Sequence, residues 1–158
     1  MLKNLSIIII AIALFIIGFL TYGDFLTWTL PKMNGLKFTV NTFSGQFKAI
    51  IEFSLTLALI PISAGLLWRY APILKVQRRV LTVLIIIISI CLFAYIRYQS
   101  IANEATNYLR HGPQQIDVIE YQMSIPLERF NIATYMFFGL IAGSAISYFL
   151  LRESKNSK

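Results

Sequence analysis

Residues 80–96 read VLTVLIIIISICLFAYI, with Arg78 and Arg79 directly before them and Arg97 directly after. No charged side chain interrupts this stretch. Its length falls within the roughly 17–25 residues that cross the hydrocarbon core of a bilayer as a helix. A helix satisfies its own backbone hydrogen bonds in lipid, whereas an open strand does not. The stretch therefore predicts a transmembrane helix bounded by positive charge at both ends.

Three further stretches have the same character. Of the whole chain, 57% is hydrophobic and 13% is charged, which is more apolar surface than a soluble domain of this size can bury. We therefore predict an all-α integral membrane protein, a single domain over residues 1–158 without internal repeats. The predicted spans are about 5–22, 49–68, 80–96 and 130–151, and the outer loops are 23–48 and 97–129.

Positive charge is concentrated on one side of the four spans. That side holds one acid, Glu153, and eight basic residues: Lys3, Arg69, Lys75, Arg78, Arg79, Arg152, Lys155 and Lys158. The positive-inside rule predicts that both termini and the connection carrying Arg69, Lys75, Arg78 and Arg79 are cytoplasmic. We expect this basic face to attract anionic lipid headgroups rather than nucleic acid. The expected location is the cytoplasmic (inner) membrane of a bacterial cell.

Two features of the first and third spans have simple interpretations. The apolar run at residues 5–22 is longer than the 7–15 residues usual in a signal peptide, and no A-x-A site follows it, which favours a retained span. Cys91 lies in the middle of the third span and is the chain's one cysteine, so no intramolecular disulfide can form. We expect it to be a small buried side chain.

The first outer loop contains a hairpin signal. Asn34-Gly35 suits a type I′ turn, and residues 27–30 and 37–42 on either side are rich in β-branched and aromatic residues. A short β-hairpin is expected here. Aromatic residues such as Trp28 fit either a belt at the headgroup level or a binding surface.

The second outer loop predicts a helical cap. Apolar residues at helical spacing extend the third helix beyond the span, past Tyr108 to His111, where Gly112-Pro113 should end it. A short amphipathic stretch over 116–123 is expected next, with the fourth helix starting near Ser124 and Pro126. We predict that the outer recognition surface comprises Trp28, Asn34, Gly35, Tyr108 and His111.

Glu52 is the one acid inside a predicted span. An ionisable residue at such a position is a functional candidate by default. Lys48, four residues earlier on the same helix face, can pair with it, and Arg97 or Arg129 at the same level could complete the pair. Structural pairing, an ion or proton site and contact with a partner protein remain open alternatives.

Two spans carry packing signals. In the fourth, Gly139, Gly143 and Ser147 are spaced four residues apart, a pattern that lets helix backbones approach closely, within one subunit or between subunits. In the second, Pro61 should kink the helix. A kinked, hydroxyl-bearing helix is compatible with a gate, although most such helices are simply packed.

The sequence carries no motif for catalysis, a metal or a cofactor. His111 is the only histidine, and it has no His or Cys partner at ligand spacing. We expect a non-enzymatic membrane protein that acts by contact, as an oligomeric sensor, an immunity or antiviral-defence component, or an accessory subunit. Its partner would be a second copy or another membrane or cytoplasmic protein. The alternative is a channel or transporter subunit that uses Glu52 as its intramembrane charge.

Overall fold

The computed structural model describes residues 2–32, 36–41, 46–70, 76–111, 121–126 and 130–156. The helices are α1 (Leu2–Trp28), α2 (Gln46–Tyr70), α3 (Val76–His111) and α4 (Ile132–Asn156), and the strands are β1 (Leu36–Asn41) and β2 (Tyr121–Pro126). All four helices are long and apolar enough to cross a membrane. The prediction of four membrane-spanning helices is confirmed at this level.

The helices pack as two antiparallel pairs. α1 lies along α2, α3 lies along α4, and the pairs meet mainly where α2 contacts α4. The order across the bundle is therefore α1, α2, α4, α3. We call the end at which α2 and α4 begin the Glu52 end, and the opposite end the Arg79 end.

The α3–α4 pair is packed through small residues. Gly139 lies against the backbone of Ile90, and Gly143 lies against that of Ile86. One turn further along α4, the buried Ser147 Oγ is 3.5 Å from the Thr82 carbonyl oxygen to which it donates. Contacts thus recur every four residues on both helices, and Gly139, Gly143 and Ser147 all face α3 of the same chain.

Cys91 is exposed and not buried as expected. The face of α3 that meets α4 carries Ser89 and Ile90, both buried. The next residue is turned by about 100° around the helix, since an α-helix has 3.6 residues per turn. This rotation takes Cys91 off the packed face and onto the surface available to lipid.

The α1–α2 pair also relies on small residues. A Cβ atom added at Gly18 would lie 2.9 Å from the Ser54 Cα atom, so the two backbones are in close contact there. The Ser54 hydroxyl donates to the Ile50 carbonyl at 2.7 Å, and the Thr56 hydroxyl donates to the Glu52 carbonyl at 2.7 Å. These buried hydroxyls are satisfied within their own helix, which removes the cost of placing them in an apolar interior.

Pro61 lies inside α2, which continues to Tyr70. Its ring removes the N–H group that would otherwise bond the Leu57 carbonyl. Two residues later the Ser63 hydroxyl donates to the Ile60 carbonyl at 3.0 Å. A kink at Pro61 remains a prediction.

A small parallel sheet joins the segment between α1 and α2 to the segment between α3 and α4. β1 pairs with β2 in a register that runs from Leu36 opposite Tyr121 to Asn41 opposite Pro126. The strand predicted at 37–42 is therefore present as β1, but its partner lies about eighty-five positions away along the chain and not across a tight turn. Asn34 and Gly35 lie outside the described residues.

The predicted hairpin is wrong because its first strand is not extended, since residues 27 and 28 belong to α1 and residues 29 and 30 form the turn after it. Thr27 and Thr29 donate their hydroxyls back to the carbonyls of Gly23 and Phe25, at 2.7 and 2.9 Å. Phe25 and Leu26 pack on the buried core, so this helical turn is stabilised by tertiary contacts that override local β-propensity. Pro31 follows, and a proline is common just beyond a helix end.

The predicted start of the fourth helix near Ser124 is also wrong. Ser124 and Pro126 belong to β2, and α4 begins at Ile132. Between them, Asn131 adopts a left-handed backbone conformation with φ of 44°, which turns the chain into α4. Asparagine tolerates this conformation better than most residues. By contrast, α3 ends at His111, the residue where Gly112-Pro113 predicts an end.

Within the described residues, the two halves of the chain have the same order of elements. The first runs α1–β1–α2 and the second runs α3–β2–α4. Equivalent elements meet, because β1 pairs with β2 and α2 packs on α4. This helix–strand–helix repeat is visible in the fold, although the sequence predicts none.

We expect Gly143→Ala to destabilise the protein by roughly 1–3 kcal/mol through overpacking. The added Cβ would lie 2.8 Å from the Ile86 Cα atom, where only a backbone shift makes room. Gly23→Ala is the matched control, since nothing lies within 4 Å of a Cβ there. Thermal unfolding in detergent, monitored by size-exclusion chromatography, measures both variants. Equal melting temperatures for the two variants would contradict the close α3–α4 contact.

Candidate polar junction at the Glu52 end

Glu52 connects the two helix pairs. Its Oε2 accepts a hydrogen bond of 2.7 Å from the Thr134 hydroxyl on α4. Its Oε1 lies 3.7 Å from Lys48 Nζ, one turn earlier on α2. The Glu52 side chain is 28% exposed and that of Lys48 is 78% exposed. The carboxylate is thus held between α2 and α4, and its lysine partner extends outward.

An aromatic cluster covers the α1 side of this junction. The rings of Phe25 and Phe53 are stacked with centroids 4.4 Å apart, and the Tyr22 ring lies 5.7 Å from that of Phe53. Tyr22 and Phe53 are both buried. Because Phe53 follows Glu52 in α2, the cluster lies at the same level of the bundle as the carboxylate.

Arg97 fixes the start of α4 to α3. Its Nε donates to the Phe130 carbonyl at 3.2 Å, and its Nη1 lies 3.4 Å from Glu104 Oε1. The guanidinium carbon is 5.8 Å from the centroid of the Tyr135 ring, a cation–π distance. The Arg97 side chain is only 13% exposed. A partly buried cation therefore connects α3 to the turn at Asn131.

The sequence predicted part of this network. The pairing of Lys48 with Glu52 is present. The pairing of Arg97 is different, because its carboxylate partner is Glu104. Arg129 lies outside the described residues. Thr134 was not predicted, although a hydroxyl in the first turn of the fourth span, at the level of Glu52, was a signal that could have identified it.

Among the described residues, the polar side chains that are buried as a whole are hydroxyls. They are Ser54, Thr56, Thr82, Ser89 and Ser147. Three of them donate to helix carbonyls, as described above. Within the described ranges, no group of three His, Cys, Asp or Glu side chains could hold a metal ion. This arrangement suits helix packing better than a wide polar path, which would need polar faces along much of a helix.

At the Arg79 end, a cation–π contact joins α2 to α3. The Arg79 guanidinium carbon lies 5.9 Å from the centroid of the Trp68 ring. Arg69, in the last turn of α2, is exposed. Lys75 lies outside the described residues, as does the side chain of Arg78. The described part of the basic face thus combines one packed arginine with one exposed arginine.

The half of α3 that ends at His111 presents an open groove of about 500 Å³, lined mostly by residues with polar side chains. Its lining includes Tyr95, Gln99, Ser100, Asn103, Glu104 and Asn107. Gln99 Nε2 donates to the Tyr95 hydroxyl at 2.7 Å. Trp28, at the end of α1, is 84% exposed. The side chains of Tyr108 and His111 lie outside the described residues.

In comparisons with known proteins, no family model, no curated protein and no solved structure matches this chain.

We expect Thr134→Val to destabilise the protein by roughly 1.5–3 kcal/mol, the range for hydrogen bonds to charged groups. The substitution keeps the shape of the side chain but removes the donor to Glu52. The matched control is Thr21→Val, because the Thr21 hydroxyl bonds only its own helix, at Ile17 O, in an exposed position. Thermal unfolding in detergent gives both values.

A double-mutant cycle with Glu52→Leu, whose side chain cannot accept a hydrogen bond, isolates the interaction. If Glu52 and Thr134 act together, the double variant loses less stability than the sum of the single losses. Strict additivity of the two losses would show that the contact contributes nothing to the α2–α4 junction.

Proposed function

We propose that this protein is a non-enzymatic membrane protein that acts by contact with another protein. The main support for the proposal is that β1 pairs with β2. This pairing joins the segment between α1 and α2 to the segment between α3 and α4. This sheet and the outer end of α3 form a cap on a four-helix scaffold. Binding residues tend to gather on such segments when a rigid scaffold positions them.

The cap is proposed to face away from the cytoplasm. The support is the charge difference across the spans, because basic residues cluster at the Arg79 end and near both termini. The proposed location is the inner membrane of a bacterial cell. The basic face would then lie against anionic headgroups of the cytoplasmic leaflet, where each exposed Lys or Arg adds about 1 kcal/mol of attraction.

The polar groups inside the bundle support a contact role. Glu52 is engaged by Thr134 and Lys48, and the hydroxyls of Ser54 and Thr56 bond carbonyls of their own helix. Side chains so engaged stabilise helix packing. Roles as an oligomeric sensor, an immunity or defence component, or an accessory subunit would all use such a scaffold.

A second candidate function is that of an ion-coupled transporter subunit. The observation that favours it is the Glu52 carboxylate, held at the α2–α4 junction and still 28% exposed. Intramembrane carboxylates mark ion and proton pathways in many transporters. Under this candidate, Glu52→Gln abolishes activity at normal expression, whereas a structural role leaves activity largely intact.

We predict that Trp28→Ala together with Tyr108→Ala removes function while leaving membrane insertion and oligomer size unchanged. Trp28 is highly exposed at the end of α1, and Tyr108 lies near the end of α3. Truncating exposed aromatic anchors weakens protein contacts strongly. The readout is rescue of the phenotype that loss of the protein causes in its native cells, with size-exclusion chromatography of each variant.

The control for the cap variant is Arg78→Ala with Arg79→Ala at the opposite end of the bundle. This variant should rescue the phenotype if it inserts in the native orientation. A fully active cap variant beside an inactive, correctly inserted basic-face variant would place the working surface in the cytoplasm and overturn the proposal.

A further inference from the structure

The groove on α3 contains groups that also bond Arg97. The Arg97 Nη1 atom donates to the Ser100 hydroxyl at 3.1 Å and to Glu104 Oε1 at 3.4 Å. Ser100 and Glu104 both line the groove, and the Glu104 side chain is half-exposed. One edge of the Arg97 guanidinium is therefore held by side chains that a molecule in the groove would meet.

The same guanidinium holds the chain just before α4. Arg97 Nε donates to the Phe130 carbonyl at 3.2 Å, and the guanidinium carbon lies 5.8 Å from the centroid of the Tyr135 ring. A guanidinium is planar and rigid, so its nitrogen atoms cannot move independently of one another. Any rotation that changes the contact of Nη1 with the groove therefore changes the contact of Nε with Phe130.

The turn from Phe130 to Thr134 is packed closely. Phe130 and Ile132 are buried in the core. Asn131 lies between them in a left-handed conformation, and its carbonyl accepts a hydrogen bond of 3.2 Å from the Tyr135 N–H group. Close-packed groups have little room to move separately, so they transmit a displacement. A shift of the Phe130 carbonyl would therefore move Thr134 as well.

Thr134 forms the α4 side of the Glu52 junction. Its hydroxyl donates to Glu52 Oε2 at 2.7 Å. A hydrogen bond weakens steeply when its distance and angle depart from the preferred values. The contact between α2 and α4 thus depends on where Arg97 holds the first turn of α4.

We propose that Arg97 couples the groove on α3 to the Glu52 junction. Ser100 and Glu104 orient the guanidinium, and the guanidinium positions the turn that presents Thr134 to Glu52. A partner that drew Glu104 away from Arg97 would weaken the contact between the two helix pairs. The coupling is a property of the folded chain and does not depend on the recognition role proposed above.

A double-mutant cycle between Glu104 and Thr134 tests this coupling. Glu104→Leu removes an acceptor in the groove, and Thr134→Val removes the donor at the junction. The hydrogen bonds of the described residues do not join these two side chains, so independent losses of melting temperature should add. We expect Thr134→Val to lower the melting temperature by about 2–4 °C less in the Glu104→Leu background than in the unchanged protein. Thermal unfolding in detergent gives the values.

Asn103→Leu is the matched control. Asn103 is the exposed neighbour of Glu104 in the same groove, and within the described residues it makes no hydrogen bond to Arg97. Thr134→Val should therefore cost the same in this background as in the unchanged protein. Glu104→Gln keeps an acceptor for Arg97 and should restore most of the cost. Strict additivity with Glu104→Leu, or an equal shortfall with Asn103→Leu, overturns the proposal.

Amide hydrogen exchange gives a second measurement, made at the junction itself. In the Glu104→Leu variant, peptides that cover the first two turns of α4 should exchange faster than in the unchanged protein, because local opening exposes their amides. The same peptides should keep their native exchange in the Asn103→Leu variant. Unchanged exchange in the Glu104→Leu variant would also overturn the proposal, since the groove would then have no influence on the start of α4.

Discussion

Close approach of α4 to α3 is the contact on which the rest of the structure depends. Lipid gives helices no hydrophobic reason to associate, so packing between backbones has to supply the attraction. Gly139 and Gly143 permit that packing, because any larger side chain would meet the α3 backbone. The same register places Ser147 at the Thr82 carbonyl and Arg97 at the Phe130 carbonyl. The close approach of α3 and α4 therefore positions both ends of this helix pair.

The two halves are joined by polar contacts at one end. Glu52 and Thr134 link α2 to α4, and β1 and β2 link the segments that precede these helices. Both links lie at the Glu52 end. Close backbone packing thus stabilises each half. Polar contacts stabilise the junction between the halves. The Glu52 end is consequently the place where the two halves are held together.

The sequence predicted correctly those features that depend on residues close together in the chain. Span positions follow from apolar length, and the pairing of Lys48 with Glu52 follows from their four-residue spacing. The hairpin failed because Thr27 belongs to α1 and because β1 finds its partner in β2. A hairpin can be recognised from the turn residues between its strands. Two strands that are far apart in the chain have no such turn between them. The Arg97–Glu104 pair was missed for a related reason, since the aromatic and backbone contacts that orient Arg97 come from α4.

Membrane orientation is tested most directly by thiol labelling in intact cells. The two reporter cysteines are Gln46→Cys at the start of α2 and Val76→Cys at the start of α3, both exposed positions, in a Cys91→Ser background. With the cap outside the cytoplasm, an impermeant reagent labels the cysteine at position 46 and reaches position 76 only after the membrane is opened. Labelling of position 76 alone in intact cells would contradict the account, because the cap would then face the cytoplasm.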